Sequence, residues 1–536
     1  MSTPVSVFDG PFTTNTLASK KFLIFYFVII WGSILPLLLE LYLFWKIIEY
    51  NIFFSIVLFP IQIYIGYQIL VLSSILLAKI FLSIINLIHK PEEGVFKRKK
   101  KDRNYYFWSL RAVIKKWPIW ISKFIPLPFI HKLIFRWFDN DAGFIEYGKN
   151  VSIGKGTSIK ASMIFGDYLI IKKVKIGENV IIGSNSFISP GTQIGKNSII
   201  GTMSVTKYNQ KLKPNSIYLG FPVEEYKTEI NTIPSIQKLK ETIFNNNIFN
   251  QSIKYKNKSQ KLRFQEKKFV KNLKFGLFIF GIIYFLSNLI PVLGVIYFSI
   301  ELFIPYFLQI PNFFSLFTNI PSLVIFLTSP LIIIVLSLTN LISLIVLTKI
   351  FYNIIQSLNP VKEGIFHWEN KNKEYKYYFR RSFLLRYFKW KLHKSLFPWL
   401  VNFAFNILGN CRIGKNTVIE DSYLAKEDLE LGNNVYLGKL LLTNHLWDKN
   451  LTVKGIVIRD NVVISDNCCI SPGAEIEQNV SILPLSVIAK YEKLTSNSVY
   501  YNAPLMKISN TELIHSFNLD MHDLFLKNNQ INGCLK

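Results

Sequence analysis

Cysteines and acidic residues are scarce in this sequence. Its 536 residues include only four cysteines, Cys411, Cys468, Cys469 and Cys534. This number excludes a secreted disulfide scaffold, and the spacing fits no metal-binding motif, so we expect reduced thiols and no bound metal. The 34 acidic residues face 62 Lys and Arg, which gives a formal net charge of +28. Half of the residues are hydrophobic, and this fraction excludes intrinsic disorder.

Charged residues are almost absent from three long stretches. Residues 22–45 contain one charge, Glu40, and residues 52–78 contain none. Residues 275–348 contain only Glu301. A helix that crosses a bilayer needs about 20 apolar residues, so these stretches predict two pairs of transmembrane helices. Five spans are an alternative, because several prolines obscure the boundaries within the third stretch.

Basic residues flank the apolar stretches on one side. They concentrate in 97–103, in 254–274 and in 371–381. The excess of Lys and Arg in cytoplasmic loops predicts a multi-pass integral membrane protein whose termini and soluble domains face the cytoplasm. The segments 104–138 and 371–400 mix aromatic with basic residues, which is typical of contact with the anionic leaflet of a lipid bilayer. Helices that pack beneath a soluble domain are the alternative. We expect no nucleic-acid partner.

An aliphatic residue recurs at every sixth position in two regions. In the first region these residues are Ile176, Ile182, Ile188, Ile194 and Ile200. In the second they are Ile413, Ile419, Ala425, Leu431 and Leu437 and, after a break, Ile458, Ile464, Ile470, Ile476, Ile482 and Ile488. A period of six fits neither a helix nor a flat sheet, and it predicts a parallel β-helix in which the aliphatic side chains stack inside. We expect the small residue that follows each of them to let the chain turn the corner.

The chain also repeats itself as a whole, as expected for an internal duplication. Lys79-Ile80-Phe81 matches Lys349-Ile350-Phe351, and Ile188-Ser189-Pro190-Gly191 matches Ile470-Ser471-Pro472-Gly473. The predicted fold is therefore membrane α-helical spans plus two all-β, left-handed parallel β-helix domains. The predicted domains are 1–90 (N-terminal tail and first transmembrane pair), 91–141 (amphipathic surface segment), 142–228 (first β-helix), 229–274 (basic linker), 275–352 (second transmembrane pair), 353–404 (amphipathic surface segment), 405–507 (second β-helix) and 508–536 (C-terminal tail).

The period breaks between Leu437 and Ile458, where a loop must leave the second β-helix. The loop contains Thr443-Asn444-His445-Leu446-Trp447-Asp448, and His445 is the only histidine in either periodic region. A histidine has a pKa near neutrality, so His445 is a candidate general base, with Asp448 to orient it or to contact an acceptor. In an ungapped alignment of the two regions, His445 falls on Met163 and Asp448 on Gly166. We therefore expect the first β-helix to be structural or to complete the site of the second.

The repeat resembles that of the left-handed β-helix (hexapeptide) acyltransferases. The order of span pairs and β-helices is similar to the C-terminal membrane region of poly-lysine-synthetase-type non-ribosomal peptide synthetases, whose Thr-His-Leu-(Phe)-Glu-Asp motif is close to residues 443–448. The chain departs from that family in having no adenylation or carrier domain and two β-helices instead of three. The resemblance implies that His445 deprotonates an acceptor amine or hydroxyl, which then attacks a thioester.

The resemblance also implies a substrate-binding surface. In the family, backbone groups near a Gly-x-Pro-Ala-like turn contact the pantetheine arm, and the corresponding turn here is Asn502-Ala503-Pro504. Asn444 and Trp447, beside the histidine, complete the predicted substrate-binding residues. A plain exit turn is the alternative interpretation of the proline.

The function predicted from the sequence is that of a membrane-anchored acyltransferase. It would bind no cofactor permanently and would use acyl-CoA or a carrier-protein thioester as donor, so a small-molecule thioester or a carrier protein is a predicted partner. A homo-oligomer is possible in such a family. The alternatives are a non-catalytic membrane scaffold and a transporter. The sequence has no nucleophile elbow for Ser-His-Asp hydrolysis and too few histidines for a γ-type carbonic anhydrase.

Overall fold

A computed structural model describes most of the chain. The described residues are 18–50, 52–122, 142–154, 156–226, 273–367, 373–408, 411–420, 422–425, 427–447 and 450–508. The α-helices are α1 Leu23–Tyr50, α2 Ile52–Ile88, α3 Arg103–Ser122, α4 Leu273–Phe298, α5 Ser315–Thr318, α6 Ile320–Leu358, α7 Lys373–His393 and α8 Leu400–Leu408. A π-helix, Ser299–Leu308, continues α4, and short 3₁₀-helices lie at Lys20–Phe22 and Ala142–Phe144.

Among the residues that the structure describes, four helical segments are long and apolar enough to cross a membrane. They are Lys20–Glu49, Ile56–Ile88, Gly276–Leu308 and Ile320–Leu358. Helix α1 packs against α2, and α4 packs against α6, so each predicted pair is a helical hairpin. The Trp31 indole N–H donates to the Leu327 carbonyl oxygen (2.8 Å) and joins the two pairs.

Two shorter helices lie between the long helices and the β domains. Helix α3 packs against α1 and α2, and α7 packs against α4 and α6. On α7, Phe388 and Leu392 are fully buried, whereas Trp390 is about half exposed. These helices occupy the segments predicted to contact the anionic leaflet, and that contact stays a prediction.

The first β domain, which we call rod 1 (residues 142–226), is a parallel β-helix. Two of its faces each stack four parallel strands, in the orders β12-β10-β7-β2 and β13-β11-β8-β3, and the third contains β4 and β9. It therefore has about four coils. Its strands are β2 Ile145–Tyr147, β3 Ser152–Ile153, β4 Ser158–Ile159, β5 Ser162–Phe165, β6 Tyr168–Ile171, β7 Val174–Ile176, β8 Ile181–Ile182, β9 Phe187–Ile188, β10 Gln193–Ile194, β11 Ile199–Ile200, β12 Lys211–Leu212, β13 Ile217–Gly220 and the antiparallel β14 Val223–Glu225.

The second β domain, rod 2 (residues 411–508), is a longer parallel β-helix. Two of its faces each stack five parallel strands. Its strands are β16 Cys411–Ile413, β17 Val418–Ile419, β18 Leu429–Leu431, β19 Tyr436–Leu437, β20 Leu441–Leu442, β21 His445–Trp447, β22 Leu451–Val453, β23 Ile456–Ile458, β24 Val463–Ile464, β25 Cys469–Ile470, β26 Glu475–Ile476, β27 Ser481–Ile482, β28 Val487–Ile488, β29 Lys493–Leu494, β30 Val499–Tyr501 and the antiparallel β31 Met506–Ile508.

The six-residue period marks the inward positions, as predicted. From Ile176 to Ile200 and from Ile413 to Ile488, every repeating side chain is buried. Ile153 is the exception among the periodic residues of rod 1 and stays 39% exposed. It lies on β3, the first strand of its face, so no earlier strand of that sheet covers it.

The corners of the rods depend on asparagine as well as glycine, which differs from the sequence prediction. At the corner that follows Ile194, the left-handed residue is Asn197 (φ 57°), two positions after Gly195. A Cβ on Gly195 would lie 2.3 Å from the Pro214 nitrogen of the next coil, so this glycine permits close stacking of coils. Asparagine tolerates the left-handed conformation better than most residues, and here it provides the turn.

A hairpin leaves each rod at the same corner. Hairpin 1 is Ser162–Ile171, formed by β5 and β6, and hairpin 2 is His445–Val453, formed by β21 and β22. Each gains a third antiparallel strand from the segment after a long helix, β1 (Gly94–Lys97) for hairpin 1 and β15 (Gly364–Phe366) for hairpin 2. The two hairpins are therefore paired in the same way, and the internal duplication inferred from the sequence stays a prediction.

The strand register corrects the ungapped alignment of the two rods. Ser162 lies opposite Ile171 in hairpin 1, and His445 lies opposite Val453 in hairpin 2. Hairpin 2 thus has nine residues and hairpin 1 has ten, so His445 corresponds to Ser162 and not to Met163.

The two rods contact each other through hairpin 1. Met163, Phe165 and Ile170 pack against Leu483 and Ile508 of rod 2. At the edge of this contact the Lys160 ammonium lies 3.0 Å from the Asp466 carboxylate, which is almost fully buried.

Candidate functional site

Hairpin 2 places His445 at the first position of β21. The strand pairs with β22, and β22 pairs in turn with β15, so three antiparallel strands hold the histidine beside the rod. The imidazole is partly buried, and Thr443 and Asn444 before it are buried.

The neighbours of the imidazole determine which nitrogen carries the hydrogen. The Thr443 hydroxyl donates its single hydrogen to the His445 carbonyl oxygen (2.8 Å), so Oγ1 can only accept from the ring Nδ1, 3.2 Å away. The Asn444 amide donates through Nδ2 to the Glu427 carbonyl oxygen (2.8 Å), which directs its Oδ1 to within 3.4 Å of the same Nδ1. Two acceptors therefore favour the tautomer with hydrogen on Nδ1, and Nε2 carries the lone pair of a base.

Aromatic residues of α7 cover one side of the histidine. The Tyr378 ring centroid lies 5.7 Å from the imidazole centroid. Burial and the nearby Glu427 carboxylate raise the pKa of the Tyr378 phenol well above its ordinary value, so it stays neutral. A cavity of about 10 Å³, enough for a single water molecule, lies between Tyr378, Tyr423, Glu427 and His445.

A buried ion pair supports the residues around His445. The Arg381 Nε lies 2.8 Å from Glu427 Oε1, and both side chains are only 3% exposed. Glu427 also accepts from the Tyr352 hydroxyl (3.0 Å), and Arg381 Nη1 donates to the Asn359 carbonyl oxygen (3.0 Å) at the end of α6. The network connects the last turns of a membrane-length helix to Asn444, and through Asn444 to His445.

A second carboxyl group follows Glu427 directly. Burial, together with the neighbouring carboxylates Glu427 and Glu363, raises the pKa of Asp428 to about 6. Its Oδ2 is buried and accepts no hydrogen bond from any residue that the structure describes.

The first half of the chain contains the arginine but not the acids. Arg111 of α3 donates to the His89 carbonyl oxygen at the end of α2, as Arg381 does to Asn359. Its guanidinium also donates to the Asn86 amide oxygen, 3.0 Å away, and lies 3.4 Å from His89 Nδ1. Because Arg111 is buried, its pKa falls to about 10.

The predicted substrate-binding residues divide into two groups. Asn444 lies beside His445, whereas Asp448 and the side chain of Trp447 lie outside the described residues. Asn502, Ala503 and Pro504 form the turn between β30 and β31 at the far end of rod 2. Three coils of rod 2 separate hairpin 2 from this turn. Strand β20 pairs with β25, β25 pairs with β28, and the Val487 N–H of β28 donates to the Asn502 carbonyl oxygen. Strand spacing makes this roughly 14 Å along the axis, so only an extended substrate can contact both groups.

Several residues of the site were missed by the sequence analysis. Thr443 was quoted but given no role, and Glu427, Arg381 and Tyr378 were not selected. One signal was available for Arg381, because it corresponds to Arg111 at the offset that aligns the two helix pairs. No comparable signal indicated Glu427, which lies far from His445 in sequence.

The comparison with protein families gives a match to rod 1. Residues 173–207 match the family described as bacterial transferase hexapeptide (six repeats). No curated protein matches the chain, so the closer similarity to peptide synthetases stays a prediction.

Several solved structures resemble part of the chain. A variant of AntD, an N-acyltransferase from Bacillus cereus in complex with dTDP-4-amino-4,6-dideoxyglucose and coenzyme A, is 27% identical; the match covers 19% of this chain and 59% of AntD, with a TM-score of 0.15. A hexapeptide-repeat-containing acetyltransferase from Vibrio cholerae, in complex with acetyl coenzyme A, is 20% identical over 19% of this chain and 60% of its own length, with a TM-score of 0.18.

These matches span less than two thirds of the solved structures, and their TM-scores are too low to support an argument about the site. What the family comparison does establish is a transferase-type hexapeptide repeat at residues 173–207 of rod 1.

Proposed function

We propose that the protein is a membrane-anchored acyltransferase that moves an acyl or aminoacyl group from a thioester donor to an amine or hydroxyl acceptor. The observation that carries the proposal is the orientation of His445. Its Nδ1 faces two oxygen acceptors, Thr443 Oγ1 and Asn444 Oδ1, which leaves Nε2 as the basic nitrogen. The hexapeptide transferase match of rod 1 agrees with this reaction class.

In the proposed reaction, Nε2 of His445 removes the proton from the acceptor as it attacks the thioester carbonyl. The tetrahedral intermediate then collapses and the carbon–sulfur bond breaks, which leaves the acyl group on the acceptor. The thiolate takes the proton back from the His445 imidazolium and leaves as a thiol. The donor, coenzyme A or a carrier-protein thioester, would run along rod 2 toward Asn502, Ala503 and Pro504. Trp447 and Asp448, which follow His445, would contact the acceptor.

The buried network would hold the base in place. Glu427 is fixed by Arg381, and its carbonyl oxygen fixes the Asn444 amide, whose Oδ1 faces His445. Arg381 and Glu427 are therefore proposed positioning residues and not catalytic ones.

The proposal is tested by removing His445 and the matching residue of rod 1. We expect His445→Ala to lower kcat by about 10²–10⁴, because general-base assistance is lost. We expect Ser162→Ala, at the equivalent position of hairpin 1, to change kcat less than twofold. The assay is thiol release from acetyl-CoA in the presence of amino-sugar and amino-acid acceptors, with the melting temperature of each variant as a control for folding. Full activity of His445→Ala, or an equal loss in both variants, would exclude the histidine from the mechanism.

One observation favours a non-catalytic scaffold as the second candidate. The cavity beside His445 has room for little more than a water molecule, so the site lacks a ready-made chamber on the α7 side. A wild-type protein that is folded and yet inactive with both acetyl-CoA and carrier-bound thioesters would support the scaffold.

We also propose that four spans hold both rods at the cytoplasmic face of the bilayer. The support is the four membrane-length helices and the basic residues beside the rods, such as Lys100. In a chain with Cys469 and Cys534 replaced by serine, single cysteines at Lys100 and Arg412 should react with a membrane-impermeant maleimide only after the cells are opened. Labelling of either position in intact cells would overturn this topology.

A further inference from the structure

We propose that a basic pocket at the boundary between the rods and the first membrane-length helix binds a phosphate-bearing anion. The pocket has a volume of about 490 Å³. It lies between the start of α1, the chain after β1, the turn of hairpin 1 and the asparagine corner of rod 2. The side chains used in the argument are Lys20, Lys21, Arg98, Lys100, Asp167 and Asn434.

Positive charge dominates the lining of the pocket. Four basic side chains converge on it, against the single carboxylate of Asp167. Within the part of the chain that the structure describes, Lys20, Lys21 and Lys100 form no ion pair, and all three are exposed. Like charges that converge in a concave surface repel one another and raise the local concentration of anions, so a bound anion would stabilise this arrangement.

Arg98 is fixed at the inner end of the pocket. Its backbone N–H donates to the Asp167 carbonyl oxygen (2.7 Å), which attaches it to hairpin 1. Its guanidinium carbon lies 5.8 Å from the centroid of the Tyr436 ring in rod 2. Arg98 therefore bridges the two rods, and a pre-positioned guanidinium is well suited to bind phosphate oxygens.

Neutral donors complete the opposite wall. Asn416 donates through Nδ2 to Asn434 Oδ1 (3.2 Å), and Asn434 donates in the same way to Asn461 (3.2 Å). Each amide uses one Nδ2 hydrogen in this ladder, and its second hydrogen can donate to a ligand. The pocket thus combines cations with amide donors, which is the set of groups that phosphate oxygens require.

The position of the pocket relates it to the membrane. Lys20 is the first residue of the first membrane-length segment, and the Ser19 hydroxyl caps the start of this helix by accepting from the Lys21 N–H (3.4 Å). If α1 spans the bilayer, the pocket opens at the depth of lipid headgroups on the side of the rods. The phosphate can therefore come from an anionic lipid or from a soluble phosphate compound, and the chemistry of recognition is the same.

The experiment uses the full chain in a neutral detergent. The probes are dioctanoyl-phosphatidylglycerol, its phosphatidylcholine counterpart, and inorganic pyrophosphate, and affinities are measured by isothermal titration calorimetry. The pocket variant combines Lys20→Gln, Lys21→Gln and Lys100→Gln. The matched control combines Lys149→Gln, Lys196→Gln and Lys211→Gln, three exposed lysines on rod 1.

We expect the pocket variant to bind phosphatidylglycerol or pyrophosphate at least tenfold more weakly than the wild type, and the control less than twofold more weakly. Binding of phosphatidylglycerol alone would identify a lipid headgroup as the ligand, whereas competition by pyrophosphate would identify a soluble phosphate compound. Equal affinities of the pocket variant and the control, or no binding of either anion by the wild type, would overturn the proposal. If the triple variant melts early, the single Lys100→Glu variant, in an exposed turn, should still weaken binding at least threefold.

Discussion

Hairpin 1 and hairpin 2 have the same strand pairing but opposite surroundings. Hairpin 1 presents Met163 and Ile170 to rod 2 and is part of an apolar interface. Hairpin 2 presents His445 to a polar region that contains Glu427 and Arg381, beneath Tyr378. Two equivalently paired hairpins of one chain can thus differ in role, because one packs in an apolar interface and the other lies among ionisable groups.

The two rods also differ in the residues that precede one pair of corresponding strands, β18 of rod 2 and β2 of rod 1. Leu429 pairs with Ile456 in rod 2, and Ile145 pairs with Val174 in rod 1, so the two strands correspond. The residues before Leu429 are Glu427 and Asp428, whereas Gly143 and Phe144 precede Ile145. The acids Glu427 and Asp428 therefore have no counterparts in rod 1, whereas Arg381 of α7 corresponds to Arg111 of α3. The acids and the histidine thus occur together in the second half, as expected if they act together in the proposed site.

The largest effect on stability is expected from the two equivalent arginines. Arg381→Met would leave Glu427 buried without its counter-charge and should lower the free energy of unfolding by about 3–5 kcal/mol. Arg111→Met removes hydrogen bonds from a charged group but leaves no buried acid behind, so its cost should be about 1.5–3 kcal/mol. Chemical denaturation of both variants measures the difference. Equal costs would show that the ion pair of the second half has no special role.

The second largest effect is expected in the pH dependence of stability, to which only rod 2 should contribute a buried carboxyl group of this kind. The pKa of Asp428 is raised to about 6 from an ordinary value of 3.8, so the folded protein binds this proton more tightly than the unfolded chain. Stability is therefore lost as pH rises from about 4 to about 6 and stays at the lower level above that. Asp428→Asn should stabilise the protein by about 1–2 kcal/mol at pH 7.5, since part of the group is solvated.

The same variant should have little effect on stability near pH 4, where the wild-type carboxyl group is already neutral. Melting curves at pH 4.5 and pH 7.5 provide the measurement. The control is Glu430→Gln, because Glu430 is an acid two positions after Asp428 whose side chain is 44% exposed. A stabilisation of Asp428→Asn that does not depend on pH would contradict the assigned pKa.

The smallest effect concerns a corner that has no asparagine in either rod. Met203 (φ 54°) and Leu485 (φ 61°) occupy equivalent left-handed positions. Met203 is 67% exposed, so Met203→Asn should relieve strain at little packing cost and stabilise by about 0.5–1 kcal/mol. Leu485 is half-buried, and Leu485→Asn should be close to neutral because lost burial offsets the gain. Thermal unfolding of the two variants tests this, and destabilisation by Met203→Asn would refute the strain argument.

The fold could be predicted from the sequence because its signals are periodic and local. Each repeating residue from Ile176 to Ile200 fills the same inward place in successive coils, so the period of six survives in one dimension. The corners were predicted only in part, because we expected Gly195 to provide the turn that Asn197 provides. The regular asparagines of the repeat were a visible signal for that role.

The candidate site was located only in part. His445 could be found because it interrupts the period and is the single histidine of the rods. Its correspondence to Ser162 could not be found, since the different lengths of the two hairpins, which shift the alignment, emerge only from strand register. The ion pair that supports it could not be found either, because Arg381 and Glu427 are 46 positions apart and meet only where α7 contacts rod 2.

The sequence by itself determined the membrane-length helices, the two β-helices and the position of the interruption, because hydrophobicity and periodicity act between near neighbours in the chain. Only the tertiary structure decided that hairpin 1 packs on rod 2, that Asn444 orients His445, and that Lys20, Arg98 and Asn434 line one pocket. These relations depend on how helices and rods dock. Docking is decided by shape and by the pairing of buried polar groups over long separations, and a single sequence does not display either.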